Sequence, residues 1–228
     1  MIRFYFNTAP NPMKIALFLE ETGLAYEAVP VDTRRGQQHA AEFRAINPNA
    51  KVPAIVDDGV TVFDSNAILL YLAEKTGRFL PPAGPVHRAE LLSWLMFVAT
   101  GVAPYCGQAA HFLHFAPKND YAINRFGYEV ERHYRILDTR LAEQPYLLGE
   151  TYTIVDMSFW GWARMLPFAL GETDPWAQFP HAKRLLDEIS ARPAAERAEA
   201  LKGKFTWKQE MDDEARGHLF PQNKRLTG

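Results

Sequence analysis

The chain opens on Ile2-Arg3-Phe4-Tyr5-Phe6, a short apolar run of β-prone residues, and breaks at Asn7-Thr8-Ala9-Pro10-Asn11-Pro12, where two prolines and two asparagines favour a turn. A helix is predicted from near Pro12, because Ile15, Leu17, Phe18 and Leu19 recur with helical spacing up to Thr22 and Gly23 supplies a stop. Tyr26–Val31 reads as a second strand, Ala40–Ile46 as a short helix, and Val52–Val56 as a third strand. Asp57-Asp58-Gly59 turns that strand into a fourth at Val60–Phe63. Asp64-Ser65 then caps a helix running to about Lys75 and closed by Gly77.

The order βαβ-αββα combines a crossover unit with an antiparallel hairpin, so the sheet is predicted to be mixed, in thioredoxin-like order. Phe79-Leu80-Pro81-Pro82-Ala83-Gly84-Pro85 reads as a linker. Beyond it, from His87 to about Leu201, the apolar positions keep helical periodicity, as in Leu91, Leu92, Leu95, Met96 and Val98, and no strand run stands out. The predicted fold is therefore α+β in two domains: residues 1–80 as the thioredoxin-like domain and 87–202 as an all-helical one. An extension over 203–228 carries Phe205, Trp207 and Phe220, so it is expected to lie against the body.

Composition narrows the function. The 47% hydrophobic and 23% charged residues are the balance of a globular chain rather than a disordered one. With 25 Lys+Arg against 27 Asp+Glu the net charge is −2, which gives no global positive field for nucleic acid or an anionic membrane. The apolar stretches Ala67–Ala73 and Leu91–Ala99 fall far short of the ~20 residues of a membrane span, so no membrane partner is expected. Cys106 is the single cysteine, which forbids an internal disulfide, and no Cys/His cluster has zinc spacing, so no metal is expected. A reducing, cytoplasmic compartment is the expectation.

Three places carry candidate chemistry. Pro53 enters a strand and removes a ladder donor. A cis Val52–Pro53 bond would turn the Val52 backbone outward to pair with a ligand, whereas a trans proline would mark an edge. Asp64-Ser65 at a helix N-terminus suits the zwitterionic end of an amino acid, and equally a plain cap. Cys106 invites a redox role, but that chemistry needs a cysteine at a helix start, and a packed apolar residue is the simpler reading. Tyr5 lies within the first strand and reads as a core aromatic. Thr153-Ile154-Val155-Asp156 has the spacing of a capping box with Asp in place of Glu.

Together, Thr8-Ala9-Pro10-Asn11, Asn47-Pro48-Asn49-Ala50-Lys51-Val52-Pro53, the helix start Phe63-Asp64-Ser65-Asn66-Ala67-Ile68-Leu69 and the helical second half resemble a cytosolic glutathione transferase. Lys14-Ile15-Ala16-Leu17-Phe18-Leu19-Glu20-Glu21, the His111-Phe112 and His114 region and Tyr121-Ala122-Ile123-Asn124-Arg125-Phe126 look more like the bacterial Nu class. The likeness covers about residues 1–200. It implies a homodimer whose co-substrate is glutathione, with Asp64 and Ser65 on the γ-glutamyl end, Val52 and Pro53 at the cysteinyl backbone, and Gln38 and Lys51 toward the glycyl end. Asn11, with Thr8, would face the sulfur, and Arg125 would approach from the partner subunit. Tyr105, Gln108, His111, Phe112 and Trp162 are candidates to line a site for a small electrophile or disulfide.

The implied activity is a glutathione transferase with disulfide-bond reductase character; a non-catalytic scaffold of the same fold is the alternative. A thiol near its reference of ~8.5 poised near 6.5 needs about 2.7 kcal/mol in favour of the thiolate. One exposed helix terminus contributes only ~0.3–1 kcal/mol. Hydrogen bonds from Asn11, Thr8 and backbone N–H groups must supply the rest. Ala9 stands where the class carries threonine, so one expected hydroxyl is missing.

Overall fold

The computed structural model describes residues 1–226; Thr227 and Gly228, the end of the expected extension, lie outside the described residues. The chain packs as two compact units, Met1–Ile68 with the chain from Arg197 onward, and Leu69–Glu196.

In the first unit, β1 (Ile2–Phe6), β2 (Tyr26–Pro30), β3 (Ala54–Asp57) and β4 (Val60–Phe63) form one sheet in the order β2-β1-β3-β4. β1 runs parallel to β2 and antiparallel to β3, and β3 is antiparallel to β4, which is the mixed sheet the element order predicts. Strand β3 starts at Ala54 rather than Val52, since Pro53 has no N–H to give the ladder. Helix α1 (Pro10–Thr22) begins two residues before the expected Pro12, because Pro10 fits the first helical position. It closes as expected on Gly23 in the left-handed region, whose N–H reaches Leu19 O. Pro12 to Leu19 are buried without a break, so α1 is enclosed on all sides rather than amphipathic. Helix α2 (Ala41–Ile46) places Phe43 against Tyr5, confirming Tyr5 as a core residue.

The C-terminal segment lies on this unit. Phe205 and Trp207 set their rings edge-on to Phe6, with centroids 5.5 and 5.6 Å away. Asp32 accepts the Lys208 N–H at 2.8 Å, and the Arg34 guanidinium donates to the Lys208 and Gln209 carbonyls. Beyond them, His218 presses its ring on Gly36, where a Cβ would stand 2.5 Å from Nδ1 and where φ is +76°. Only glycine meets both conditions.

Helix α3 (Ser65–Thr76) opens in the first unit and continues in the second. The second unit then holds α4 (Pro85–Phe97), α5 (Ala103–His114), α6 (Asp120–Glu143), α7 (Ile154–Ala163), α8 (Leu166–Leu170) and α9 (Pro180–Ser190), and α10 (Pro193–Ala200) follows. The last helix, α11 (Asp213–Leu219), belongs to the C-terminal segment. Trp160, Tyr134, Phe159 and Phe179 form the fully buried heart of the helical unit. Its start signal is built as predicted: the Thr153 side chain caps α7 and Asp156 returns to the Thr153 N–H at 2.8 Å. Among the described residues, the run Pro85–His114 is long and apolar enough to cross a membrane by length and composition, against the expectation that no stretch reaches that length. Polar residues such as Ser93 and Thr100 shorten the apolar runs, but the helix continues through a π-helical turn at Val98–Val102. Leu91, Leu95, Val98, Val102, Cys106 and Ala109 bury one side, and the run packs against α6, α7 and α8, as a core helix does.

Candidate functional site

The expected sulfur-binding loop is shaped by Asn7, whose Oδ1 accepts the Ala9 N–H at 3.0 Å while its Nδ2 donates to Thr33 Oγ1 at 3.1 Å. This side-chain turn leaves Thr8 and Ala9 exposed and delivers the chain into α1. Ala9 is the N-cap and gives no side-chain cap. Of the first three helical residues, Pro10 and Pro12 lack N–H groups, so Asn11 alone carries one. The half-buried Asn11 thus brings a backbone N–H and a side-chain amide to the positive end of the helix.

A second loop is organised by the buried Asn47. Its Nδ2 donates to Lys51 O at 2.6 Å, its Oδ1 accepts the Asn49 N–H, and its carbonyl accepts the Ala50 N–H. This holds Ala50 at φ 53° and leads into a Val52–Pro53 bond that is cis, the alternative that would turn the Val52 backbone outward. Val52 is half-buried, Pro53 buried and Lys51 exposed. Sequence reading places Asn47 in the motif without a role; an asparagine followed by proline at a turn is the signal that points to one.

The third element is the start of α3. Asp64 Oδ1 accepts the N–H groups of Asn66 and Ala67 at 2.9 and 3.2 Å, so the plain cap is real. Asp64 also sits at φ 69°, a strained conformation that aspartate tolerates better than most residues, and its side chain is exposed. Ser65 beside it is 6% exposed. An exposed carboxylate and a hydroxyl at a helix N-terminus form a site for one cation and one anion held close together. Sequence reading names Lys14 in the α1 motif but gives it no role. Its side chain is fully buried and its Nζ donates to Asn66 Oδ1 at 2.8 Å, which ties α1 to this turn. The signal was a lone charge inside an otherwise apolar helical run.

Gln38, expected toward the glycyl end, lies in the loop after Gly36. It is 4% exposed beneath the C-terminal segment, and its Nε2 donates to the carbonyls of Thr33 and His218 at 3.2 and 3.3 Å.

In the helical unit, Arg125 is exposed and donates to Glu129 Oε1 at 2.6 Å, while Arg132 donates to Glu129 Oε2 at 2.8 Å. These two guanidiniums, Arg132 first, hold the Glu129 carboxyl below its ordinary range. Cys106 is fully buried, and burial pushes its thiol up to about 12, so it is inert near neutrality, as the packing reading expects. Tyr105 and Phe112 both lie against Phe126, at 6.3 and 5.3 Å between centroids, and His111 sets its ring edge-on to Phe112 at 5.3 Å, so packing engages at least these three of the five residues considered for substrate contact. Among the described residues no three His, Cys, Asp or Glu side chains converge as metal ligands would.

A thioredoxin-like sheet with a cis proline, an amide at the first helix and an acid–hydroxyl pair at the third helix, followed by a helical bundle, defines a protein class. A family model described as glutathione S-transferase, N-terminal domain matches residues 2–74, and one described as glutathione S-transferase, C-terminal domain matches residues 120–188. The chain belongs to the glutathione S-transferase family. It is 43% identical over 206 residues to the disulfide-bond oxidoreductase YfcG of Escherichia coli (strain K12), covering 87% of this chain and 94% of that one. It is 38% identical over 214 residues to the disulfide-bond oxidoreductase YghU of the same organism, covering 86% and 73%. Among solved structures it resembles a glutathione transferase from Burkholderia graminis with two glutathione molecules bound per subunit, at TM-score 0.81 and 34% identity over 87% of each chain. It also resembles a Pseudomonas putida glutathione transferase with one glutathione disulfide bound per subunit, at TM-score 0.81 and 34% identity over 86% of this chain and 90% of that one.

Proposed function

We propose that this protein is a glutathione-dependent enzyme of the bacterial Nu type that stabilises the glutathione thiolate and directs it chiefly at disulfides, and also at small electrophiles. The observation that carries this reading is the position of the only cysteine: Cys106 is buried and its thiol is held protonated, so the reacting sulfur must arrive with the substrate. Asp64 takes the γ-glutamyl ammonium, Ser65 and the α3 N–H groups take the α-carboxylate, Val52 pairs with the cysteinyl backbone, and Lys51 faces the glycyl carboxylate. Asn11 and Thr8 donate to the sulfur. The thiolate attacks one sulfur of the disulfide and expels the other as a thiol after protonation. A second glutathione thiolate then attacks the mixed disulfide, so two glutathiones and one disulfide yield glutathione disulfide and two thiols. Relatives solved with two glutathiones or with one glutathione disulfide per subunit support this stoichiometry.

Steady-state assays with glutathione and 2-hydroxyethyl disulfide, coupled to glutathione disulfide reduction, test this directly. Saturable turnover is expected. Calorimetric binding without turnover would remove the reductase reading, and absence of binding would leave only the scaffold alternative. The working form proposed is a cytoplasmic homodimer in which Arg125 reaches the partner's glutathione while Glu129 orients it. Sedimentation is expected to give twice the 25.9 kDa chain mass, and Arg125→Ala is expected to weaken glutathione binding about tenfold, within the range for a charged hydrogen bond. A monomer that is stable to dilution ends the contribution in trans.

A further inference from the structure

Lys14 is the one residue in the buried stretch Pro12–Leu19 that carries a charge, and its side chain has no exposed surface. Its amine donates at 2.8 Å to Asn66 Oδ1, and the Asn66 N–H donates to Asp64 Oδ1 at 2.9 Å. The amine therefore meets the third residue of the Asp64-Ser65-Asn66 turn that opens α3, and through Asn66 it is linked to the Asp64 carboxylate. Burial lowers its pKa to about 7, and the Asp64 carboxylate opposes that shift. Near neutrality this amine is divided between two protonation states, and its charge responds to whatever is added above it.

We propose that Lys14 is a positioning residue for the γ-glutamyl end of the substrate, and that glutathione binding is coupled to uptake of a proton on its amine. The proposal rests on the reading that Asp64 and Ser65 hold that end. A ligand α-carboxylate seated on Ser65 and the first-turn N–H groups adds negative charge over the buried amine. By covering the turn, the ligand also removes water that screens Asp64 from Nζ. Both effects favour the ammonium. The ligand's own ammonium works against them, but it meets the exposed Asp64 carboxylate from the solvent side. The proton comes from solvent, passes to Nζ, and returns when the ligand leaves. The consequence is a substrate site whose positive charge, supplied by α1 from beneath, is complete only when occupied. It also fixes Asn66, and through it the Asp64 cap, in the binding geometry.

The probe is S-methylglutathione, which carries both ends of the tripeptide but no thiol proton of its own. Titration calorimetry at several pH values, in buffers of differing ionisation heat, reads the number of protons exchanged. The expected result for the full chain is uptake of about half a proton or more per site near pH 7.5, falling toward zero at pH 6 where the amine is already charged. In Lys14→Met the uptake is expected to vanish and the affinity to lose its pH dependence. Binding with no proton exchange between pH 6.5 and 8.5 overturns the coupling while leaving the function reading intact. Uptake that persists in Lys14→Met overturns the assignment and moves it to another group. Absence of any binding heat removes the function reading and this proposal with it. The wild-type measurement decides the sign even where the variant does not fold.

Discussion

Asp156→Ala is expected to lower the stability of the protein by about 3–5 kcal/mol and its melting temperature by roughly 10 °C, without a direct effect on glutathione chemistry. The carboxylate is fully buried and accepts the N–H groups of Leu147 and Thr153 at 2.8 Å each and the Thr153 hydroxyl at 3.0 Å. Alanine leaves all three donors without their acceptor, and at such depth each loss costs desolvation as well as the bond. The pH dependence gives the mechanism a second signature. Burial outweighs these hydrogen bonds and raises the Asp156 carboxyl from 3.8 to about 6. The folded chain therefore binds more protons at this group than the unfolded chain between pH 4 and 6. Its contribution to stability falls as pH rises through that window and is recovered on acidification. Asp156→Asn removes this titration, so the stability gap between wild type and Asn is expected to widen as pH falls from 7 to about 4. Thermal melts across that range check it. A gap independent of pH, or an alanine variant within 1 kcal/mol of wild type, contradicts the account.

The helix start that Asp156 secures was legible from four consecutive residues, because a capping box is a local device whose partners lie three positions apart. The same holds for the β3–β4 hairpin, which Asp57-Asp58-Gly59 announces, and for the Asp64 cap, whose acceptor and donors are neighbours in sequence. The mixed sheet followed from the order of elements alone. What could not be read depends on residues distant along the chain. Lys14 lies 52 positions from Asn66, and nothing in the helical periodicity of α1 distinguishes a buried amine from one that snorkels to the surface. Gln38 is of the expected residue type, yet the Lys208–Phe220 region folds back over its loop and His218 takes its amide. Aromatic residues in the tail showed that it would pack, but not onto which surface. Helix α1 starts at Pro10, two residues before the expected Pro12. The correction matters chemically, because it shows that the prolines on both sides remove the backbone donors the sulfur was expected to share.

That loss of donors sets the size of the effect expected for Asn11→Ala: the bound glutathione thiol rises by about one pKa unit or more, and kcat/KM for disulfide reduction at pH 6.5 falls about tenfold to a hundredfold, the range for one hydrogen bond to a charged acceptor. A thiolate poised near 6.5 requires about 2.7 kcal/mol, and the α1 terminus, with one N–H in its first three residues, supplies no more than ~1 kcal/mol of it. The Asn11 amide is the donor best placed to provide the larger share, since Ala9 offers no hydroxyl and Thr8 is exposed. Because the proposed interaction is to the charged sulfur and not to the ends of the tripeptide, affinity for S-methylglutathione is expected to stay within about twofold. The two rates are expected to converge above pH 9, where the thiol ionises unaided. Titration of the ultraviolet thiolate band, with pH–rate profiles of wild type and variant, measures both quantities. Asp64→Ala is expected to give the opposite pattern, with weakened binding of both glutathione and its S-methyl derivative and an unchanged thiol pKa, because the proposed site puts it at the far end of the same molecule. An Asn11→Ala variant with the wild-type thiolate band would shift the activation to the Asn11 backbone N–H and Thr8, and Thr8→Ala would then carry the loss.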